Sequence, residues 1–201
     1  VIKLQGRLPR KLIVACSGGP DSMAVADFLR RNHEIELFIY DHDTAISTRA
    51  FELVASWATK HGLEWQCRGG PLEVGDPPKG VSREEHWRNC RYRWFHSFDD
   101  VVVTAHHLDD CVETWIWSCL HGEGKLIPYR NRNVIRPFRL TRKRDFELWC
   151  DLNSVPYLED DSNRDIAYTR NYIRHELMPH ALRVNPGIHK TVKKKLIEDF
   201  Q

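Results

Sequence analysis

Lys11-Leu-Ile-Val-Ala-Cys-Ser-Gly-Gly-Pro-Asp-Ser22 runs from a short apolar segment through a glycine turn into a helical pattern that continues from Met23 to Arg31. A strand, a glycine-rich turn and a helix in that order build an anion site. The glycines let the backbone approach a phosphate, and the helix start offers unpaired N–H groups at its positive dipole end. No Gly-Lys-Ser/Thr follows, so the turn is not a Walker A loop. Asp21 and Ser22 follow instead, an acid able to hold Mg2+ against phosphate oxygens and a hydroxyl able to cap the helix. The plainer alternative is a Gly-containing strand-to-helix turn with an Asp/Ser cap, and the rest of the chain has to decide.

The 201 residues suffice for one sizeable α/β domain with a small appendage. A hydrophobic content of 41% is enough to fill its core. No run approaches the roughly 18 apolar residues of a membrane span. Val1 to Lys11 carries basic residues without an apolar signal segment, which argues against secretion. The six cysteines lie far apart, with no Cys-x-x-Cys and no zinc-finger spacing to His, as expected of free thiols in a reducing cytoplasm. The formal net charge of +2 is too small to mark a globally basic protein. Its distribution is uneven: Lys125 to Arg144 contains eight Lys or Arg and no acid. That reads either as a solvated basic loop or as a contact for a polyanion.

Leu12 to Cys16 reads as a buried parallel strand, and the helix after the loop places Ala24, Val25, Phe28 and Leu29 on one face. A second strand over 35–40 ends in Asp41-His42. Ligands of open α/β sheets gather at the carboxyl ends of strands, so these two either line a nucleotide crevice or cap a turn. Ser47 is expected to cap a helix running to His61 with Gly62 as its stop, and 63–68 reads as a third strand. Gly69 to Gly80 is a loop, since it holds four Gly and three Pro. Ser82-Arg-Glu-Glu85 gives a capping box for a helix that buries Trp87, Cys90, Trp94 and Phe98. Arg88 and Arg91 lie off that face, as surface charges or as phosphate ligands. A fourth strand over 100–105 completes an alternation that predicts a doubly wound, mostly parallel sheet flanked by helices.

That strand runs into His106-His-Leu-Asp-Asp-Cys-Val-Glu113. His106, Asp109, Asp110 and Glu113 are spaced i, i+3, i+4, i+7 and fall on one helical face, with Leu108, Val112, Trp115 and Cys119 opposite and expected to pack on the sheet. Burying the apolar side turns the polar side outward. Three carboxylates and an imidazole repel unless a cation joins them, either Mg2+ held with nucleotide phosphates or the amine of a substrate. Acids near a helix N-terminus can also be simple dipole partners.

The Ser-Gly-Gly-x-Asp-Ser pattern resembles the PP-loop of the ATP-pyrophosphatase superfamily. Further blocks follow it: Arg136-Pro137-Phe138, Tyr157-Leu-Glu-Asp-Asp-Ser-Asn163 and Tyr168-Thr-Arg-Asn-Tyr-Ile-Arg174. Together with the His-x-x-x-Asp-x-x-Glu helix and Glu84 to Tyr92, their order resembles the N-terminal catalytic domain of the tRNA(Ile)-lysidine synthetase family, over about residues 11 to 187. The resemblance implies a PP-loop (adenine nucleotide alpha hydrolase-like) ATP-binding domain over 1–135. A small helical C-terminal extension over 136–201 would complete the active site and contact tRNA. The implied reaction adenylates C2 of the wobble cytidine of isoleucine tRNA with a CAU anticodon, and L-lysine then displaces AMP. Ser17, Gly18, Gly19, Asp21, Ser22, Asp41 and His42 would bind ATP, with Mg2+ on Asp21 and Asp109. Asp21, His106, Asp110, Glu113, Arg170 and Arg174 would be catalytic. Arg88, Arg91, Asp109, Arg136, Arg139, Asp161, Asn163 and Asn171 would contact tRNA or the substrate.

Departures from the family's pattern are Cys111 where Gln is usual, Asp43-Thr44-Ala45 after His42 where Gly and Leu-Arg are usual, and a short linker after Leu120. Family members generally carry further C-terminal domains, so a chain ending at Gln201 is either a fragment or a minimal form. In the latter the Lys125–Arg144 patch and the lysines of 190–195 would carry more of the tRNA, in a monomer or a homodimer. Rival enzymes are a PP-loop tRNA thiolase, which needs paired cysteines for sulfur transfer, and a small-molecule amidating synthetase. A catalytically inactive tRNA-binding module is the rival from another class. No membrane partner is expected.

Overall fold

The computed structural model describes residues 1–42, 44–70 and 75–200, apart from the side chains of Asp161 and Arg164. Leu12, Ile13 and Val14 are all buried, which makes β1 (Lys11–Ala15) a strand covered on both faces. It lies in the middle of a six-stranded sheet of order β3-β2-β1-β4-β6-β5. The partners are β2 (Glu34–Asp41), β3 (Glu64–Gly69), β4 (Val102–Val103), β5 (Arg130–Asn131) and β6 (Val134–Ile135). Every pairing is parallel except β5 with β6. The strand order reverses between β1 and β4, so the crevice of this sheet opens at their carboxyl ends. The doubly wound, mostly parallel α/β class expected above is the fold observed.

Alternate side chains of β1 and β2 feed two cores. Leu12, Val14, Leu37 and Ile39 pack under α1 (Pro20–Arg30) and α2 (Ala45–Lys60). Ile13, Phe38 and Tyr40 pack under α3 (Arg83–Phe95) on the other face. Thr44, not Ser47, is the N-cap of α2; Ser47 is the reciprocal partner of its capping box. The fourth strand is shorter than the apolar run suggests: it spans Val102–Val103, with Val101 O accepting from Ile13 N–H and Thr104 N–H donating to Ile135 O at its ends.

Phe138 and the buried Phe146 and Cys150 of α5 (Lys143–Asn153) belong to the same core as β1 and α1. Residues on either side of position 135 therefore share one core. The remaining elements are α4 (Leu108–Leu120), a 3-10 turn (Asp161–Arg164), α6 (Thr169–Tyr172), a π turn (Ile173–Leu177), α7 (Met178–Val184) and α8 (Ile188–Glu198). Among the described residues no helix is long and apolar enough to cross a membrane.

Candidate active site at the β1/β4 crevice

Gly18 adopts φ +78°, and a Cβ there would meet Ala50 Cβ at 3.0 Å, so the turn after β1 needs glycine on both counts. Gly19 is the N-cap of α1, and Pro20 occupies its first turn. Ser22 Oγ accepts from Ser17 N–H at 3.1 Å and donates to Gly19 O at 3.1 Å, closing the loop on itself. Ser17 Oγ lies 3.3 Å from Ser22 Oγ. Gly18 O accepts from Leu158 N–H at 2.9 Å, which ties the loop to the segment before the 3-10 turn. Asp21 follows in the first turn of α1. Its Oδ2 stands 3.6 Å from His107 Nε2, and its Oδ1 is buried with no hydrogen-bond partner among the described residues.

His107 comes from the end of β4 and caps α4. Its Nδ1 accepts from Asp110 N–H at 3.1 Å, while Asp110 Oδ2 accepts from His107 N–H at 3.0 Å. Burial disfavours a charged His107, but Asp110, Asp21 and Asp109 around it outweigh burial and raise its pKa. Sequence periodicity missed this residue. The available signal was its position three residues before Asp110, which puts an acid at N3 of the helix as in a capping box.

Asp110 and Glu113 share one side of α4 and are 8% and 4% exposed. They do not face solvent. Arg170 Nη2 donates to Asp110 Oδ1 at 2.8 Å, and Arg174 donates to Glu113 Oε1 and Oε2 at 2.7 and 3.0 Å. Burial alone would raise the Asp110 carboxyl; His107, Arg170 and His106 hold it well below the usual range. The two arginines stand on α6 and on the π turn, so residues from beyond position 135 close this side of the crevice. His106 precedes the helix and is turned to Thr104 Oγ1 at 2.8 Å. Burial, with nearby arginines opposing Asp110, pushes its pKa down to about 3, so it is neutral.

Asp109 corrects the expectation of one polar face. It points away from Asp110, accepting from Arg142 Nη2 at 2.9 Å, His189 Nε2 at 3.1 Å and Lys143 N–H at 2.8 Å. Those donors outweigh burial and lower its pKa. With its oxygens committed to α5 and α8, Asp109 is a clasp between helices and leaves no oxygen for Mg2+ or tRNA. The apolar side of α4 also differs from expectation. Leu108, Cys111, Val112 and Ile116 pack against Ile188, Val192 and Leu196 of α8, not on the sheet. Cys111 is fully buried there, and burial pushes its thiol up to about 12.

Two arginines expected at a tRNA surface are core residues. Arg136 is 2% exposed and donates to Pro128 O and Tyr92 Oη; Arg139 is 0% exposed and donates to Ile127 O and Gln5 Oε1. Burying a guanidinium requires several acceptors; loop carbonyls and the Tyr92 and Gln5 side chains supply them, and only Arg136 Nε is left without one among the described residues. Asn171 is buried and donates to Ser162 O and Asp165 O, which makes it a staple of the 3-10 turn. Asn163 is exposed, and its carbonyl lies 2.8 Å from His175 Nε2. The side chain of Asp161 and residue Asp43 lie outside the described residues.

At the end of β2, Asp41 accepts from Ser47 Oγ. His42 Nε2 lies 3.1 Å from Arg91 Nη1, and its ring is between Tyr40 and Trp87, each 5.0 Å away. Arg88 is exposed, with its guanidinium over the Tyr92 ring. Among the described residues no cluster of three His, Cys, Asp or Glu side chains could hold a metal unaided.

Loop, crevice and strand order have a counterpart among known proteins: residues 3–181 match the PP-loop domain family. The chain belongs to the PP-loop family. Among curated proteins, this PP-loop chain is 32% identical over 197 residues to a tRNA(Ile)-lysidine synthase of Geobacter sulfurreducens, covering 88% of this chain and 41% of that protein. It is 30% identical over 201 residues to a tRNA(Ile)-lysidine synthase of Shouchella clausii, covering 90% and 43%. The chain thus spans less than half the length of these relatives. Solved structures of other proteins share the fold. A U34-tRNA thiolase from Methanococcus maripaludis superposes with a TM-score of 0.76 at 12% identity, covering 96% of this chain and 73% of that one. An NH3-dependent NAD synthetase from Campylobacter jejuni gives 0.51 at 13%, covering 96% and 86%.

Proposed function

We propose that the chain ligates L-lysine to C2 of the wobble cytidine of isoleucine tRNA with a CAU anticodon, using ATP. The observation that carries this reading is the convergence of Asp21, from the PP-loop, with Asp110 across His107 at the β1/β4 crevice. The relatives named tRNA(Ile)-lysidine synthase support it. Ser17, Gly18, Gly19 and Ser22 would cradle the pyrophosphate end of ATP at the start of α1. The C2 carbonyl oxygen of cytidine bonds to the α-phosphorus, the bond to the β-phosphate oxygen breaks, and pyrophosphate leaves. The lysine side-chain nitrogen then bonds to C2, AMP departs with the oxygen, and a carboxylate takes the ammonium proton.

Mg2+ supplies charge neutralisation while the phosphate bond breaks. The buried, partnerless Oδ1 of Asp21 fits such an ion, because Mg2+ commonly takes one or two carboxylates and completes its shell from phosphates and water. Asp110 and Glu113 would hold amino groups, and Arg170 and Arg174 would face a carboxylate or the adenylate phosphate. His42, Arg88 and Arg91 would line the entry of the nucleotides. In this reading 1–135 binds ATP and 136–201 completes the site. The reaction is placed in the cytoplasm, and a homodimer would enlarge the tRNA surface.

The test is incubation with ATP, Mg2+, L-lysine and the CAU-anticodon tRNA, followed by nucleoside mass spectrometry. Lysidine is expected. AMP formed with another amine and not with lysine would overturn the substrate while leaving adenylation in place.

A further inference from the structure

His107 is 2% exposed, and its ring lies between the two halves of the site. One nitrogen is spoken for: Nδ1 accepts the Asp110 N–H, so the ring carries its proton on Nε2. That Nε2 lies 3.6 Å from Asp21 Oδ2 and 3.5 Å from Asp110 Oδ1. Asp21 is thereby turned with Oδ2 to the imidazole, while its Oδ1 is buried without a hydrogen-bond partner among the described residues. Phe146 packs beside the ring, with centroids 6.3 Å apart.

We propose that His107 is a positioning residue that sets the orientation of Asp21 toward metal-bound nucleotide and joins the PP-loop to the carboxylate helix across the strand-order reversal. The idea rests on the ATP-binding reading above. Its chemistry is that of a second partner behind a metal-holding carboxylate: a donor on one oxygen fixes which oxygen is presented. The backbone cap on Nδ1 fixes the ring, the ring fixes Asp21, and a shift of α4 reaches the phosphate loop through one imidazole.

Two amide replacements separate the cap from the bridge. In His107→Asn the short side chain keeps an oxygen near Nδ1, where it can cap Asp110 N–H, but it cannot reach Asp21. In His107→Gln the longer side chain puts an amide donor near Nε2 and gives up the cap. Calorimetric titration of the full chain with ATP, with and without Mg2+, reads the metal-dependent gain in affinity without requiring tRNA or turnover. We expect His107→Asn to melt near the wild type, to bind metal-free ATP normally, and to lose about tenfold of the Mg2+-dependent gain. His107→Gln should melt several degrees lower and keep that gain within about twofold. A wild-type gain in His107→Asn would overturn the proposal, as would equal losses in both variants that track only their melting temperatures. Wild-type protein that binds no ATP at all would overturn the ATP reading itself, and the proposal with it.

Discussion

Arg170 bridges two acids of the α4 helix: its Nη2 is 2.8 Å from Asp110 Oδ1, and its Nε is 3.3 Å from Glu113 Oε2. Arg174 completes a four-charge cluster, so the carboxylates assigned to the substrate ammonium groups already hold cations. An arriving amine either displaces a guanidinium or joins the cluster while its carboxylate engages one.

The cluster should be measurable as a coupling. Arg174→Ala leaves Glu113 buried without its bidentate partner and should cost about 2–3 kcal/mol in urea unfolding. Adding Glu113→Gln should recover part of that loss. A double variant that is additive within about 0.5 kcal/mol would show the two residues to be independent.

Asp21→Ala should abolish pyrophosphate release while leaving the affinity for tRNA largely intact, since the side chain faces the crevice and not the basic surface. Radiolabelled ATP with filter binding of tRNA checks both halves. Retained turnover would remove Asp21 from the reaction.

His42 predicts an acid-side loss of stability. Burial, aided by Arg91 and opposed by Asp41, pushes its pKa down to about 4. In the unfolded chain the group titrates near 6.5. Between those values the unfolded state binds a proton that the folded state does not, so stability falls as pH drops from about 6.5 toward 4. The slope from this residue is at most about 1.4 kcal/mol per pH unit. His42→Asn should flatten the profile in that window, as read by melting temperature against pH.

The basic stretch can be tested through the salt dependence of tRNA binding. Arg130, Arg132 and Arg144 are exposed, whereas Arg136 and Arg139 are buried. Neutralising the first three should reduce the slope of log affinity for tRNA against log salt by up to about 2. Arg139→Gln should act on stability instead, through the loss of its bonds to Ile127 O and Gln5. An unchanged slope would take the exposed three out of the interface.

The PP-loop and its flanking strand and helix were legible because continuous burial, two glycines and a proline at the helix start are local signals. Asp110 and Glu113 were legible by spacing. The direction of Asp109 was not, because it depends on Arg142 and His189, distant in sequence and brought in by packing. The same holds for Arg136 and Arg139. A run of basic residues looks like a solvated surface until the carbonyls of Ile127 and Pro128 are known to surround two of them. Helical periodicity counted from His106 hides His107, because the helix begins at Leu108 and His107 is its cap.

The packing of α8 on α4 has a consequence for where this molecule can be cut. The family match ends at residue 181, yet Ile188, Val192 and Leu196 cover Leu108, Val112 and Ile116, and His189 holds Asp109. A fragment trimmed at that boundary would wet one whole flank of the helix that carries Asp110 and Glu113. The tail is the floor those two acids stand on.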